Sequence, residues 1–229
     1  MATRMTWFGH SCWYIESDEV RLIIDPYMGD NPACSARPED VTVDYVLVTH
    51  GHIDHCADAQ GIAIRNNATL VGVLELAQWF KRRGVERTVT MNIGGHIEYP
   101  WGNLRMTPAV HSSTMPDGSC GGVACGFVVS LRDGHRIYHA GDTAFFGDMA
   151  YINRSGIDVA LLPIGSVYTM GPYDALDALR LIKPKRAMPM HYGTWEAIHQ
   201  DPHDWADHVH RQTDVDVTII QPGEMVTLA

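Results

Sequence analysis

The sequence has no hydrophobic run long enough to cross a membrane, because no stretch of about eighteen consecutive apolar residues occurs in it. It has no amino-terminal basic region followed by an apolar block, so no secretory signal is expected. Positive charge is scarce: 17 Lys and Arg stand against 27 Asp and Glu, with a formal net charge of −10. This balance argues against a nucleic-acid-binding surface, which needs clustered basic side chains. We therefore expect a small-molecule substrate as partner, with no nucleic acid and no membrane.

Cysteine is sparse and irregularly spaced. The chain has five cysteines, an odd number without a repeated spacing, so a disulfide framework is not expected. Cys120 and Cys125 flank a glycine-rich loop, but two thiols without a second pair are a weak metal-binding pattern. We interpret the cysteines as structural or incidental and expect a reduced, cytoplasmic location.

The composition is otherwise that of a globular chain able to bury a core, with 45% hydrophobic and 19% charged residues. Apolar alternation between turn residues predicts strands over Thr6–Phe8, Cys12–Glu16, Val20–Ile24, Val43–Val48, Thr69–Val73, Thr88–Met91, His96–Tyr99, Leu104–Val110, Val123–Leu131, Arg136–His139, Ile157–Ile164, Lys185–Pro189 and Val215–Ile220. Helices are predicted over Ala57–Arg65, Leu74–Arg83, Phe145–Arg154, Pro172–Lys183 and Trp205–Arg211. No linker or charge block interrupts the chain, so residues 1–229 are expected to form one domain. Two halves that each mix strands with later helices suggest two sheets packed face to face with helices outside.

The segment 46–55, Val-Leu-Val-Thr-His-Gly-His-Ile-Asp-His, carries four potential metal ligands after an apolar run. His50 and His52 share one face of an extended segment and can reach one ion. Asp54 and His55 lie beyond a change of direction and can reach another. Imidazole and carboxylate suit zinc, iron or manganese, and the absence of Cys argues against a closed structural zinc site. The segment therefore predicts a site for two divalent metals.

Three further ligand-capable residues, His111, Asp142 and His191, stand in tight turns after later predicted strands. Taken singly, a His or Asp in such a turn is usually a turn or cap residue. Taken together with the first motif, four strand ends that deliver His and Asp to one sheet edge favour a metal pocket.

In this pattern the chain resembles the metallo-β-lactamase superfamily of hydrolases. The match is His50-x-His52-x-Asp54-His55, then His111, Asp142 and His191 in order. Within that superfamily the chain is similar to small metal-dependent hydrolases related to the ascorbate-6-phosphate lactonases. The matching segments span almost the whole sequence and include Phe8-Gly9-His10-Ser11, Ile24-Asp25-Pro26, Tyr138-His139-Ala140-Gly141-Asp142-Thr143 and Pro189-Met190-His191-Tyr192. The resemblance implies the α+β class, as a four-layer αββα sandwich with a dinuclear site at one edge.

The resemblance also implies how the ligands are distributed. His50, His52 and His111 are expected on the first metal. Asp54, His55 and His191 are expected on the second, and Asp142 is expected to bridge both. The expected cofactors are two divalent ions, with zinc favoured over manganese, iron or nickel. A metal-bound hydroxide would then attack a small ester, lactone or phosphodiester, with Asp54 as the catalytic residue that orients the nucleophile or receives its proton.

His10, Asp25 and Thr143 are predicted to support the ligands or to touch the substrate. Asp25 is a candidate acceptor for the second N–H of a ligating imidazole, with a turn-forming role before a proline as the alternative. His10 either faces the pocket or is an ordinary loop histidine. Four later histidines match no common metal-site spacing and are interpreted as a polar helical surface: His199, His203, His208 and His210.

Two other classes of function stay open from the sequence. One is an iron-dependent oxidoreductase on the same fold, which needs open coordination positions and an iron-loaded site. The other is a metal-binding module without catalysis. The full seven-ligand set favours a hydrolase over both, and the sequence is compatible with a homo-oligomer. The loops 27–38, 112–122 and 166–172 are expected to determine which substrate is accepted.

Overall fold

Fourteen strands form two sheets of seven strands each in a computed structural model, which describes residues 2–228. In chain order the strands are β1 (Arg4–Trp7), β2 (Trp13–Glu16), β3 (Arg21–Ile24), β4 (Tyr45–Leu47), β5 (Thr69–Val73), β6 (Thr88–Met91), β7 (His96–Tyr99), β8 (Gly102–Pro108), β9 (Cys125–Leu131), β10 (Arg136–His139), β11 (Val159–Pro163), β12 (Arg186–Met190), β13 (Asp216–Val217) and β14 (Met225–Thr227).

The two sheets follow the same plan. The first has the order β14-β1-β2-β3-β4-β5-β6, and the second has the order β13-β12-β11-β10-β9-β8-β7. In the first sheet β3 to β6 pair in parallel, while β14, β1, β2 and β3 pair antiparallel. In the second sheet β10 to β13 are parallel and β7 to β10 antiparallel. Each sheet therefore has a parallel half whose carboxyl ends are free to present loops.

Five α-helices accompany the sheets: α1 (Ile53–Cys56), α2 (Ala59–Asn66), α3 (Leu74–Arg82), α4 (Pro172–Ile182) and α5 (Pro202–Gln212). Helices α2 and α3 pack on β4, β5 and β6, whereas α5 packs on β13 and on α4. Helix α3 turns its apolar face inward because Leu76, Ala77 and Phe80 recur at helical spacing, and all three are buried. Helix α4 begins at Pro172, where the missing N–H of proline leaves no hydrogen bond unmade.

The core lies between the sheets and beneath the helices. Strands β5 and β11 are buried at every position, as expected for parallel strands covered on both faces. Trp13 of the first sheet and Phe127 of the second are both fully buried in one hydrophobic cluster. The architecture is α+β, the four-layer αββα sandwich that the resemblance implied.

The structure also corrects several sequence-based boundaries. The predicted helix Phe145–Arg154 is only a 3₁₀ turn at Gly147–Tyr151, and the predicted strand Val215–Ile220 pairs only at Asp216–Val217. Helix α1 and strand β14 were not predicted, because each is four residues or fewer and too short to show a period. Within residues 2–228, no helix is both long and apolar enough to cross a membrane.

Candidate metal centre

The seven predicted ligands converge where strands of both sheets end. His50 comes three residues after β4, and His111 comes three residues after β8. Asp142 follows β10 in the same way, and His191 directly follows β12. The remaining three ligands lie in the turn that enters α1 and within that helix. These four strands end close together, so residues that are far apart in the sequence meet at one place.

Three imidazoles form a first group. His50 Nε2 lies 3.0 Å from His52 Nδ1, and His111 Nε2 lies 3.3 Å from the same His52 atom. All three nitrogens lie within 4.8 Å of one another. Three ring nitrogens that face one common point provide the donor atoms that a divalent transition metal prefers.

A second group contains Asp54, His55, His191 and, in addition, His10. His55 Nε2 and His191 Nε2 lie 3.7 and 3.9 Å from Asp54 Oδ2. His10 Nε2 lies closer, 3.1 Å from the same oxygen. The sequence predicted His10 as a supporting or substrate-contacting residue, and the structure places its ring fully buried beside the predicted ligands.

Asp142 lies between the two groups. Its Oδ2 is 3.6 Å from His111 Nε2 and 4.0 Å from His50 Nε2, which belong to the first group. The same oxygen is 3.0 Å from His191 Nε2, and Oδ1 is 3.3 Å from His55 Nε2 in the second group. A carboxylate in this position can share its two oxygens between two metal ions.

Several polar atoms at the centre form no hydrogen bonds with one another and are placed to bind a metal. His55 Nε2, Asp142 Oδ1 and both ring nitrogens of His191 are buried without a hydrogen bond of acceptable geometry. Buried polar atoms left unpaired cost about 1–3 kcal/mol each, and a bound cation would satisfy several of them together. The donor set of imidazole and carboxylate therefore fits divalent transition metals.

The charges of the cluster also suit a cation. Burial opposes ionisation of Asp142, but the His191 and His55 imidazoles outweigh it and hold the pKa of this carboxyl well below its usual range. Burial keeps the pKa of His50 well below its usual value, so this ring is neutral and can ligate. Burial also acts to lower the pKa of His55, but the surrounding carboxylates, Asp142 foremost, raise it well above the usual value. Positive charge is thus favoured at His55 Nε2, where a proton or a metal ion can supply it.

Asp25 supports one ligand in each group. Its Oδ2 accepts a hydrogen bond from His55 Nδ1 at 2.8 Å and another from Thr49 Oγ1 at 2.6 Å. Thr49 Oγ1 in turn lies 3.0 Å from His50 Nδ1 and accepts a hydrogen bond from it, because the threonine hydrogen is already donated to Asp25. Both imidazoles therefore carry hydrogen on Nδ1 and present a free Nε2 to the centre. The geometry agrees with the role predicted for Asp25 and adds Thr49, which the sequence did not single out.

A second hydrogen-bonded chain reaches Asp54. His10 Nδ1 lies 2.9 Å from Thr194 Oγ1, and His10 Nε2 lies 3.1 Å from Asp54 Oδ2. His10 and His55 hold the pKa of Asp54 below its usual value against the effect of burial, so the carboxylate is ionised and can only accept. His10 must then donate from Nε2, and the hydroxyl of Thr194 must donate to Nδ1. Burial, followed by the nearby His191, lowers the pKa of His10 to about 4, so its ring is neutral.

Thr143 and His139 fix the turns that carry ligands. Thr143 Oγ1 accepts from Val110 N at 2.9 Å, directly before His111, and the Thr143 carbonyl accepts from Met170 N at 2.9 Å. Thr143 therefore contacts the backbone of two neighbouring segments, one of which leads into His111. His139, which was not predicted as a site residue, is fully buried and donates from Nε2 to the Ser11 carbonyl at 2.9 Å. Its Nδ1 accepts from the N–H of the residue before Asp142.

Three site residues have an unusual backbone conformation. His10, Asp25 and His191 have φ values of 54°, 49° and 53°, in the left-handed region that non-glycine residues rarely occupy. Such conformations cost about 1–3 kcal/mol each and persist where the surroundings determine them. Three of the seven non-glycine residues with such a backbone in residues 2–228 are therefore candidate site residues.

An aromatic wall borders the second group. The Trp195 ring lies 4.9 Å from the His10 ring and 6.3 Å from Tyr27. A cavity of about 340 Å³ reaches His10 from the side of Trp7 and Tyr192. The four histidines interpreted as a polar surface contribute to none of the close ligand groups found within residues 2–228.

Comparisons with known proteins agree with this geometry. The model of the β-lactamase superfamily domain matches residues 20–192. A UPF0173 metal-dependent hydrolase from Opitutus terrae is 45% identical over 227 residues, which are 97% of this chain and 99% of that protein. Another from Methanopyrus kandleri is 46% identical over 226 residues, which are 96% of this chain and 98% of that protein. Among solved structures, Igni18, a metallo hydrolase from Ignicoccus hospitalis, has 35% sequence identity and superposes with a TM-score of 0.91. The match covers 100% of this chain and 99% of that chain.

Fold and sequence together define a hydrolase of the metallo-β-lactamase superfamily. Within that superfamily the chain belongs to the UPF0173 family of metal-dependent hydrolases. The resemblance read from the sequence motifs is thereby confirmed.

Proposed function

We propose that the chain hydrolyses a small ester, lactone or phosphodiester with the help of two divalent metal ions. The observation that carries this proposal is the position of Asp142 within 4.0 Å of imidazoles from both ligand groups. A single-ion site would need only one of these groups. Two groups of donors joined by a carboxylate are the arrangement of two-metal hydrolytic centres, whose ions are about 3.5–4 Å apart.

The proposed ligands divide as the two groups do. His50, His52 and His111 would hold one ion. Asp54, His55 and His191 would hold the other, with Asp142 shared. Zinc is favoured because the donors are nitrogen and carboxylate oxygen, but manganese, iron and nickel accept the same donors. When bound, the ions would lower the pKa of water towards neutrality and stabilise the negative charge that develops on the oxygen of the attacked carbonyl or phosphoryl group.

The side chains of the protein prepare the site for that chemistry. Asp54 is ionised and partly exposed, so it can orient an attacking water and accept its proton. His10 holds one Asp54 oxygen by donating from Nε2, which leaves the other oxygen free. Asp25 and Thr49 fix the tautomers of His55 and His50, so that neutral nitrogens face the ions.

Metal analysis combined with a substrate panel tests the proposal. We expect close to two transition-metal ions per chain, and hydrolysis of an activated ester or of bis(p-nitrophenyl) phosphate that is lost on chelation and restored by metal. The matched control is Lys185→Ala, far from the site, which should keep both metal and activity. An iron-loaded protein with a charge-transfer band and no hydrolysis would favour the oxidoreductase alternative, and a metal-free protein with full activity would refute the proposal.

A further inference from the structure

Exposed apolar side chains stand beside the ligands on several segments. Ile53 is 55% exposed between His52 and Asp54, and Val110 is 53% exposed directly before His111. Trp195, against His10, is also exposed. Large apolar side chains usually avoid water, and a cluster of them around a site indicates a surface that meets an apolar ligand.

The loop that follows β11 extends this surface. Val167 and Tyr168 are among the most exposed apolar residues of the described chain. The loop is held in place, because Ser166 N donates to the Met170 carbonyl and Met170 N donates to the carbonyl of Thr143. Ser166 and Val167 have φ values of 62° and 58°, so two consecutive left-handed residues direct these side chains outward.

The same segments contain no lysine or arginine. None of the 17 Lys and Arg residues lies in segments 8–20, 25–36, 49–64, 107–131, 139–153, 159–179 or 187–210, which together carry every candidate site residue. Lys185 and Arg186 instead line a cavity of about 460 Å³ at the opposite ends of the strands. Negative charge is present near the site, since exposed Glu196 follows Trp195. Arg83 reaches the loop 112–122, but its guanidinium is already paired with Asp117 at 2.6 Å. Away from the metals, the surroundings of the site would therefore repel an anionic group.

On this basis, and resting on the proposed hydrolytic function, we propose that the substrate is an uncharged ester or lactone with an apolar acyl part. The metals would bind the reacting carbonyl, and the apolar residues would contact the acyl part. An anionic group on the substrate, such as a phosphate monoester or a carboxylate on the acyl chain, would find no Lys or Arg partner beside the metals. Recognition of such groups normally uses Arg or Lys.

A matched pair of esters, p-nitrophenyl hexanoate and mono-p-nitrophenyl adipate, tests the inference. The acyl chain ends in a methyl group in the first and in a carboxylate in the second. We expect kcat/KM of the metal-loaded enzyme to be about tenfold higher for the hexanoate, because the acidic surface repels the adipate. In Ile53→Lys the preference should fall about threefold or more, since a cation would then stand beside the site. The matched control is Ile64→Lys, an exposed isoleucine on α2, which should leave the preference unchanged.

Binding separates this inference from the proposed hydrolysis. Hexanohydroxamate and adipic monohydroxamate carry the same metal-binding group, and their dissociation constants can be measured by tryptophan fluorescence without any reaction. We expect tighter binding of the hexanohydroxamate in the wild type and a smaller preference in Ile53→Lys. If neither ester is hydrolysed but this binding preference appears, the hydrolytic proposal fails and the preference for an uncharged ligand stands. Equal or tighter binding of the adipic compound by the wild type would overturn the inference.

Discussion

Polar side chains are arranged differently at the two ends of the parallel strands. At the carboxyl ends, histidines and aspartates crowd together, and several of their atoms lack hydrogen-bond partners. At the amino ends, charges are paired: Lys185 Nζ lies 2.8 Å from Asp158, and Arg186 Nε lies 3.0 Å from Asp216. Asp158 also accepts from Arg136 N at 2.8 Å. Charged groups at the amino ends are thus paired within the protein, whereas those at the carboxyl ends leave donor atoms that could hold a metal.

The backbone differs less sharply between the two ends. Left-handed conformations of non-glycine residues occur at His10, Asp25 and His191 and in the loop after β11, but also at the helix ends Asn67 and Lys183, which precede β5 and β12. The strand starts near Arg136 and Arg186 are regular and hydrogen-bonded to neighbouring strands. Left-handed site residues and unpaired polar atoms therefore occur together where a metal could bind, while the ion pairs at the amino ends contribute to stability without a ligand.

Removal of metal should have the largest effect on activity and stability, because it acts on the carboxyl-end cluster and leaves the ion pairs at the amino ends intact. Chelation should abolish hydrolysis and also lower the melting temperature, because ions bound only to the folded state stabilise it by about 4 kcal/mol at a thousandfold excess over Kd. Calorimetry with and without chelator, followed by re-addition of zinc, measures this effect. An unchanged melting temperature would show that the carboxyl-end cluster is stable without metal.

Replacement of Asp142 should affect both ligand groups. We expect Asp142→Ala to lose both metals, because its carboxylate lies against both groups and offsets the repulsion between two cations. His111→Ala should mainly empty the first group. Elemental analysis after dialysis at graded zinc concentrations distinguishes the two patterns, and identical losses in both variants would argue against a shared carboxylate.

Asp54→Asn should separate chemistry from metal binding. The amide keeps the shape and can still accept from His10, but it cannot accept a proton, so kcat should fall by about 10²–10⁴-fold while KM changes little. Steady-state kinetics at saturating metal measure both constants. A variant with full metal content and a kcat within about threefold of wild type would leave Asp54 as a turn residue only.

Thr194→Val should lower the metal affinity more modestly. Without the hydroxyl, nothing donates to His10 Nδ1, and the tautomer that holds Asp54 loses its support. Loss of such supporting contacts typically reduces metal affinity by about 10–100-fold. Competition with a chromophoric chelator measures the affinity. Thr194→Ser retains the donor and should restore most of it, and equal affinities of the Val and Ser variants would count against the hydrogen-bonded chain.

Lys185→Ala should have the smallest effect. Its ammonium is largely exposed, and exposed ion pairs contribute only about 0–1 kcal/mol to the free energy of unfolding. Denaturant unfolding measures that change, and metal content should stay at the wild-type value. A loss of metal in this variant would mean that the two ends are energetically coupled.

Much of the fold could be predicted from the sequence because its elements have strong periods. The buried strand before His50 and the amphipathic helix after Leu74 carry their patterns within a few residues. The turn of Ile53–Cys56 has no such period, and the pairing of Met225–Thr227 depends on a partner near the start of the chain. Elements fixed by tertiary contact rather than by local pattern are therefore the ones that were missed.

The candidate site shows the same limit. That His50, His52, Asp54, His55, His111, Asp142 and His191 lie together could be predicted, because His and Asp after strands form a recognisable series. Thr49, His139 and Thr194 could not, because a threonine or histidine beside a strand is common and only its hydrogen bonds reveal a role. For His10 the sequence left open a place in the pocket or in an ordinary loop, and its contact with Asp54 depends on the fold.

The position of β14 has a consequence for the order in which the molecule is completed. β1 lies between β2 and β14, and β14 is translated last of all the strands. During synthesis the outer edge of β1 therefore stays unpaired until nearly all of the described chain has left the ribosome. An open strand edge is a template for pairing with other chains. We expect a ribosome-arrested chain that stops before Met225 to depend on chaperones, with all seven predicted ligands already synthesised but the edge of its first sheet still open.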